Sequence, residues 1–189
     1  MATTLPISFF STLTISILLS SILYQATSEV DDFLIELNQS KPVKEKFSHF
    51  RVYLHDIVSG RAPTTVQVVK SRIPNSFGAI NMMDDPLTIG PRLSSKLVGK
   101  AQGLYALASQ EELALLMTMN FVFIEGKYNG STITMVGRNA IFNKVREMLM
   151  IGGSGLFRFA RGYVQARTHM LDIKTGDATV EYNVYVMHS

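Results

Sequence analysis

From Phe47 onward the chain is a series of short runs rich in β-branched and aromatic residues, broken by glycine, proline, asparagine and aspartate clusters. This punctuation constrains the fold more than any other feature. The runs are Phe47 to Val58, Thr64 to Lys70, Phe77 to Asp84, Leu97 to Ser109, Leu113 to Ile124, Ser131 to Arg138, Val145 to Ile151, Leu156 to Met170 and Ala178 to Met187. Breaks such as Ser59-Gly60-Arg61-Ala62-Pro63, Asp84-Asp85-Pro86 and Lys174-Thr175-Gly176-Asp177 separate them. The spacing predicts an all-β sandwich or barrel. The one helical competitor is Ser109 to Met119, where Gln110-Glu111-Glu112 precedes a Leu/Met run.

Val145 to Tyr163 reads as a hairpin reversing at Gly152-Gly153-Ser154-Gly155, and Arg146, Glu147, Arg158 and Arg161 are its candidates for lining an enclosed space. Strand parity adds two faces of mostly small residues. One carries Leu97, Gly99, Ala101, Gly103, Tyr105 and Leu107; the other carries Arg158, Ala160, Gly162, Val164, Ala166 and Thr168. Glycine in strands marks bends, whereas an inward face of small residues leaves a cavity, and both readings stand. The opposite face of the last long run, from Phe157 to His169, mixes aromatic and charged groups suited to a subunit interface or a packed helix.

Residues 1–28 carry no charged side chain, contain an apolar run from Ile7 to Leu23 and end Ala26-Thr27-Ser28, the pattern of a secretory signal peptide. A membrane anchor is the competing reading, weakened by the Ser and Thr that interrupt the run. Glu29 to Lys46 reads as a flexible lead-in, with the domain at 47–189. The net charge of +3 is too small and too scattered to indicate nucleic acid. With no cysteine, disulfides, thiol catalysis and Cys-type zinc sites are excluded. Asn38-Gln39-Ser40 and Asn129-Gly130-Ser131 are glycosylation sequons.

Gly153-Ser154-Gly155 lacks the third glycine and the strand-turn-helix context of a nucleotide loop. The four histidines form no helical i, i+4 pair, and His49 and His55 lie about 20 Å apart on an extended strand, so a metal site is not expected. Acid chemistry remains. Asp56 ends the apolar face Phe50, Val52, Leu54, where desolvation raises a carboxyl's pKa and suits it to proton transfer. Asp84 and Asp85 before Pro86 read as an Asx-type turn, and a substrate contact by Asp84 is the alternative.

Tyr53-Leu54-His55-Asp56-Ile57, Asp84-Asp85-Pro86-Leu87-Thr88, Lys100-Ala101-Gln102-Gly103, Asn120-Phe121-Val122-Phe123, Tyr128-Asn129-Gly130-Ser131, Arg146-Glu147-Met148, Gly152-Gly153-Ser154-Gly155 and Ala160-Arg161-Gly162-Tyr163 closely resemble the plant dirigent protein family, in order from about Phe47 to the C-terminus. The resemblance implies an eight-stranded antiparallel β-barrel with a central cavity, secreted to the apoplast as a homodimer or homotrimer, with no cofactor. It implies guidance of phenoxy radical coupling, such as that of coniferyl alcohol radicals to optically active lignans, with an external laccase or peroxidase making the radicals. Asp56, Tyr105 and Arg146 match the family's cavity aspartate, tyrosine and arginine, and Thr168 a pocket threonine. Asn139 falls where lignan-forming members carry a second acid and is the remaining candidate substrate contact. Gly137-Arg138-Asn139 resembles the broader subgroup that includes pterocarpan synthases, dehydratases working through a quinone methide. Leu149-Met150-Ile151, Ile89 and Ser154 depart from the usual Pro-Val-Val, Glu and Thr.

Overall fold

The computed structural model describes residues 16–20, 44–73 and 76–189. The chain divides into two units, Met1–Pro42 and Val43–Ser189. In the first, residues 16–20 are helical; most of the expected secretory signal and lead-in, and the sequon at Asn38, lie outside the described residues. No described helix is long and apolar enough to cross a membrane.

The second unit carries nine strands: β1 Lys46–Asp56, β2 Thr65–Val69, β3 Ile80–Thr88, β4 Leu97–Leu107, β5 Ala114–Phe123, β6 Thr132–Ala140, β7 Arg146–Ser154, β8 Arg161–Leu171 and β9 Ala178–His188. They pair antiparallel in the order β1-β9-β8-β7-β6-β5-β4-β3-β2, and a further β1–β3 pairing, Tyr53 opposite Thr88 and Leu54 opposite Leu87, closes the sheet. The product is an eight-stranded antiparallel barrel with β2 as an extra edge strand on β3. The Ser109 to Met119 stretch is a bend followed by strand, not a helical turn, because Met117 and Met119 alternate with Thr118 across the wall.

His55 staples the closing seam. The Thr88 hydroxyl donates to the Gly90 carbonyl (2.7 Å), so it accepts from His55 Nε2 (2.8 Å), and His55 Nδ1 accepts from the Thr179 hydroxyl (3.3 Å). Burial lowers the His55 pKa, which favours the neutral ring that this pattern needs.

Two expected boundaries move. β3 does not stop at Asp84 but runs through Asp85 and Pro86 to Thr88. Pro86 is tolerated because it falls where the neighbour on one side changes: β2 pairs with Ile80 to Met83, and β1 takes over at Leu87. The missing N–H therefore breaks no ladder bond. β7 likewise continues through Gly152 and Gly153 to Ser154, and the reversal falls in a 3₁₀ turn at Gly155–Phe157 completed by Phe159 at φ 60. That shift turns Phe157 into the barrel and leaves Arg158 outside, exposed.

The lumen is filled at one end only. Phe50, Phe123, Tyr128, Phe157 and His188 form a plug with ring centroids 5.0–6.1 Å apart, Phe157 at its centre and fully buried. Above it pack Phe121, Met119, Ile133, Met135, Met148, Val164 and Val184. The small residues of β4 and β8 serve curvature at this level: a Cβ on Gly103 would lie 2.2 Å from the Thr118 carbonyl oxygen, and one on Gly162 1.9 Å from that of Tyr185. Gly162→Ala is expected to destabilise the barrel by about 3 kcal/mol, the upper end for overpacking, because backbone rather than a side chain must yield. Chemical denaturation checks this, and a loss below about 1 kcal/mol would contradict the close approach.

Candidate functional site

Toward the other end the inward faces open into a cavity of about 460 Å³. Its walls are apolar at Leu54, Met83, Leu115, Met117 and Val180, and its polar groups gather at two poles. Four loops form the mouth. Asp177 ties two of them, accepting from the Val58 and Ser59 amides (2.9 and 3.0 Å) and the Ser59 hydroxyl (2.6 Å), and Phe142 and Ile173 stand exposed on the rim.

The first pole is acidic. β1 delivers Asp56 from the end of its inward row Phe50, Val52, Leu54; β3 delivers Asp85 and Asn81; β4 delivers Tyr105 opposite Asn81. Asp85 is wholly buried, and its Oδ1 accepts from the hydroxyls of Thr64 (2.6 Å) and Thr65 (3.1 Å). Asp85 Oδ2 and Asp56 Oδ1 are both buried without a hydrogen-bond partner among the described residues. Burial raises the Asp56 pKa, opposed by the Thr65 and Tyr105 hydroxyls. Burial, reinforced by the Asp56 and Asp84 charges against the Thr64 and Thr65 hydroxyls, pushes Asp85 up to about 7. Burial and the same two cavity carboxyls raise Tyr105, which stays a phenol and a hydrogen-bond donor.

The second pole is cationic. Arg146 opens β7 facing Ala166 of β8, which in turn faces Tyr182 of β9; the small alanine lets two large polar side chains share one inner row. Arg146 Nε donates to Asn139 Oδ1 (2.9 Å), and both residues are 4% exposed. Among the described residues no carboxylate lies within ion-pair distance of the guanidinium. Burial weakens its basicity, with Tyr182 opposing, yet an arginine remains charged. An uncompensated buried cation beside a cavity favours an anionic or strongly accepting oxygen in the guest.

Asp56, Tyr105, Arg146, Asn139 and Thr168 thus all line one cavity. Asp84 does not. It points outward from β3, exposed, bonded to Lys100 and to Gln102 Nε2 (2.8 Å), which hold its pKa down, Lys100 more strongly. Of the ionisable residues expected to line the lumen from the Val145 to Tyr163 stretch, only Arg146 does so. Glu147 accepts from Gln165 on the outer face, Arg161 pairs with Glu45 and Arg158 is exposed. Asn129 lies exposed after a 3₁₀ turn, whereas Ser131, the third residue of its sequon, is buried. Among the described residues no three His, Asp or Glu side chains converge as a metal-binding group.

Asp85 and Tyr182 are the ionisable cavity residues that the sequence reading left out. Parity held both: Asn81, Met83 and Asp85 share one face of β3 once the strand is allowed to pass Pro86, and Tyr182 lies between Val180 and Val184 on one face of β9.

The described strands thus form a closed antiparallel barrel whose apolar cavity carries an acidic and a cationic pole. The chain belongs to the dirigent family: a family model described as Dirigent-like protein matches residues 47–187, from the second residue of β1 to the penultimate residue of β9. Dirigent protein 7 of Arabidopsis thaliana is 58% identical over 147 residues, covering 77% of this chain and 78% of that protein. Pterocarpan synthase 1 of Glycine max is 45% identical over 186 residues, covering 96% and 97%. A solved pterocarpan synthase dirigent protein superposes with a TM-score of 0.73 at 47% identity, covering 79% of this chain and 88% of the other.

Proposed function

We propose that the protein handles a phenolic quinone methide: it binds a phenol carrying a benzylic hydroxyl, assists loss of that hydroxyl as water, and steers closure by a second hydroxyl of the same molecule. The observation that carries this reading is the pairing, across an apolar lining, of an acidic pole with a cationic pole, the carboxyl oxygens of the one orphaned and the guanidinium of the other without a counter-ion among the described residues. Arg146 and Asn139 hold the phenolic oxygen as phenolate. Protonated Asp56, steadied by Tyr105, gives its proton to the benzylic hydroxyl; the C–O bond breaks, water leaves and the phenolate becomes the quinone methide carbonyl. The second hydroxyl then attacks the methide carbon, its proton returns to Asp56, and the carbonyl becomes phenolate again on Arg146. One carboxyl acts first as acid and then as base. The pterocarpan synthases among the relatives support this reading.

Guidance of radical coupling is the second reading. It is favoured by the same apolar cavity of about 460 Å³, whose two polar ends offer one oxygen-binding group to each of two one-ring phenols. In that reading the protein is secreted to the apoplast, and a laccase or peroxidase supplies the radicals. The test incubates the protein with an isoflavanol without oxidant, and with coniferyl alcohol plus a one-electron oxidant, resolving products on a chiral column. Optically active cyclised product with loss of water in the first arm is the expected result. No turnover there, with a single-handed lignan in the second arm, would overturn the dehydrative reading in favour of coupling.

A further inference from the structure

We propose that Asp85 is the proton-holding partner of Asp56, the two carboxyls sharing one proton, so that Asp85 sets the pH range over which Asp56 acts. This rests on the reading that Asp56 transfers a proton to the guest. The β1–β3 pairing of Tyr53 with Thr88 and Leu54 with Leu87 brings the end of β1 beside Asp85 of β3, and both carboxyls line the same cavity. Each carboxyl has one buried oxygen without a partner among the described residues, Asp56 Oδ1 and Asp85 Oδ2. Two buried, unpartnered, like-charged oxygens are strongly disfavoured, and a single proton between the side chains relieves both. The Thr64 and Thr65 hydroxyls fix which oxygens share it: they already occupy Asp85 Oδ1, so the proton lies between Asp85 Oδ2 and Asp56 Oδ1, from which Asp56 passes it to the guest.

The surroundings keep the proton in place. Asp84 neighbours Asp85 on its own strand and Asp177 adds negative charge near Asp56 from the β8–β9 loop. From β4 and β9, Tyr105 and Tyr182 face the pair as neutral phenols raised by burial and by these same carboxyls. Arg146, the cation on the far side, acts on Tyr182. Asp85 is a positioning residue: wholly buried, it reaches the guest through Asp56.

The test follows the carboxyl carbons of ¹³Cγ-aspartate-labelled protein by NMR as pH is varied, a readout independent of substrate. One aspartate should titrate near neutrality, consistent with Asp85 at about 7. In Asp56→Asn that near-neutral step should move down by about one pH unit or more, since its like-charged neighbour is gone. In Asp85→Asn it should vanish and the Asp56 titration should fall. Wild-type aspartates that all titrate below about pH 5, or a near-neutral step unmoved in Asp56→Asn, would overturn the proposal; that variant alone decides if Asp85→Asn does not fold. Turnover separates the two ideas. Coupled titration with turnover intact in Asp56→Asn would sink the dehydrative reading and leave the pair. Lost turnover with uncoupled aspartates would do the reverse.

Discussion

Arg146→Ala should lower turnover by about 10²–10³-fold, the scale of removing one preorganised donor from a developing oxyanion, while the protein keeps its β-sheet circular dichroism. Removing this guanidinium strands no carboxylate, because none within ion-pair distance pairs with it among the described residues. The acceptors that lose this donor are Asn139 Oδ1 and, at 3.5 Å, the Asn143 carbonyl. Arg146→Lys should recover little, since a compact ammonium cannot hold Asn139 through Nε and keep a fork of donors for the guest. Steady-state turnover of folded protein checks both variants. Near-wild-type rates in Arg146→Ala would mean that the phenolic oxygen binds elsewhere.

Phe157→Ala should have the opposite signature, a loss of about 3–5 kcal/mol of stability with turnover per folded molecule unchanged. Phe157 is fully buried and meets Tyr128 at 5.0 Å, His188 at 5.2 Å, Phe123 at 5.6 Å and Phe50 at 5.8 Å, so truncation empties the middle of the plug. The cavity lies beyond this layer, lined from Leu54 and Met83 outward. Urea unfolding and turnover measured side by side check the separation. A drop in turnover as large as that of Arg146→Ala would show that the two ends are not independent.

The two ends were legible in the sequence to different degrees. Alternation gave the inward row of β1 and its terminal Asp56, and the small-residue faces of β4 and β8 identified walls that bend. What those faces did not reveal is that Gly103 and Gly162 are small to admit a neighbouring backbone, while the space for a guest begins nearer the mouth, at Tyr105 and Thr168. Two breaker signals misled. Pro86 looked like a strand end because which neighbour β3 has at each point is a tertiary fact, and only the handover from β2 to β1 makes a proline harmless there. That reading hid Asp85 and brought forward Asp84, whose side chain faces Lys100 and solvent. The glycines at 152–155 looked like the turn itself, yet the strand runs through the first two and reverses at Phe157, so the plug's central ring was placed on an outer face. The partners of Arg146 and the two orphaned carboxyl oxygens depend on side-chain positions that no local pattern records.

The central claim is that a guest occupies the mouth-side cavity between the acidic and cationic poles, and the methionines report on it directly. Met83 and Met117 line the cavity, whereas Met119 and Met135 are buried in the packed layer below it. Titrating ¹³C-methyl-methionine-labelled protein with coniferyl alcohol should shift the Met83 and Met117 methyl resonances in step and leave those of Met119 and Met135 nearly still. Saturating phenol that moves neither cavity methyl would contradict the account.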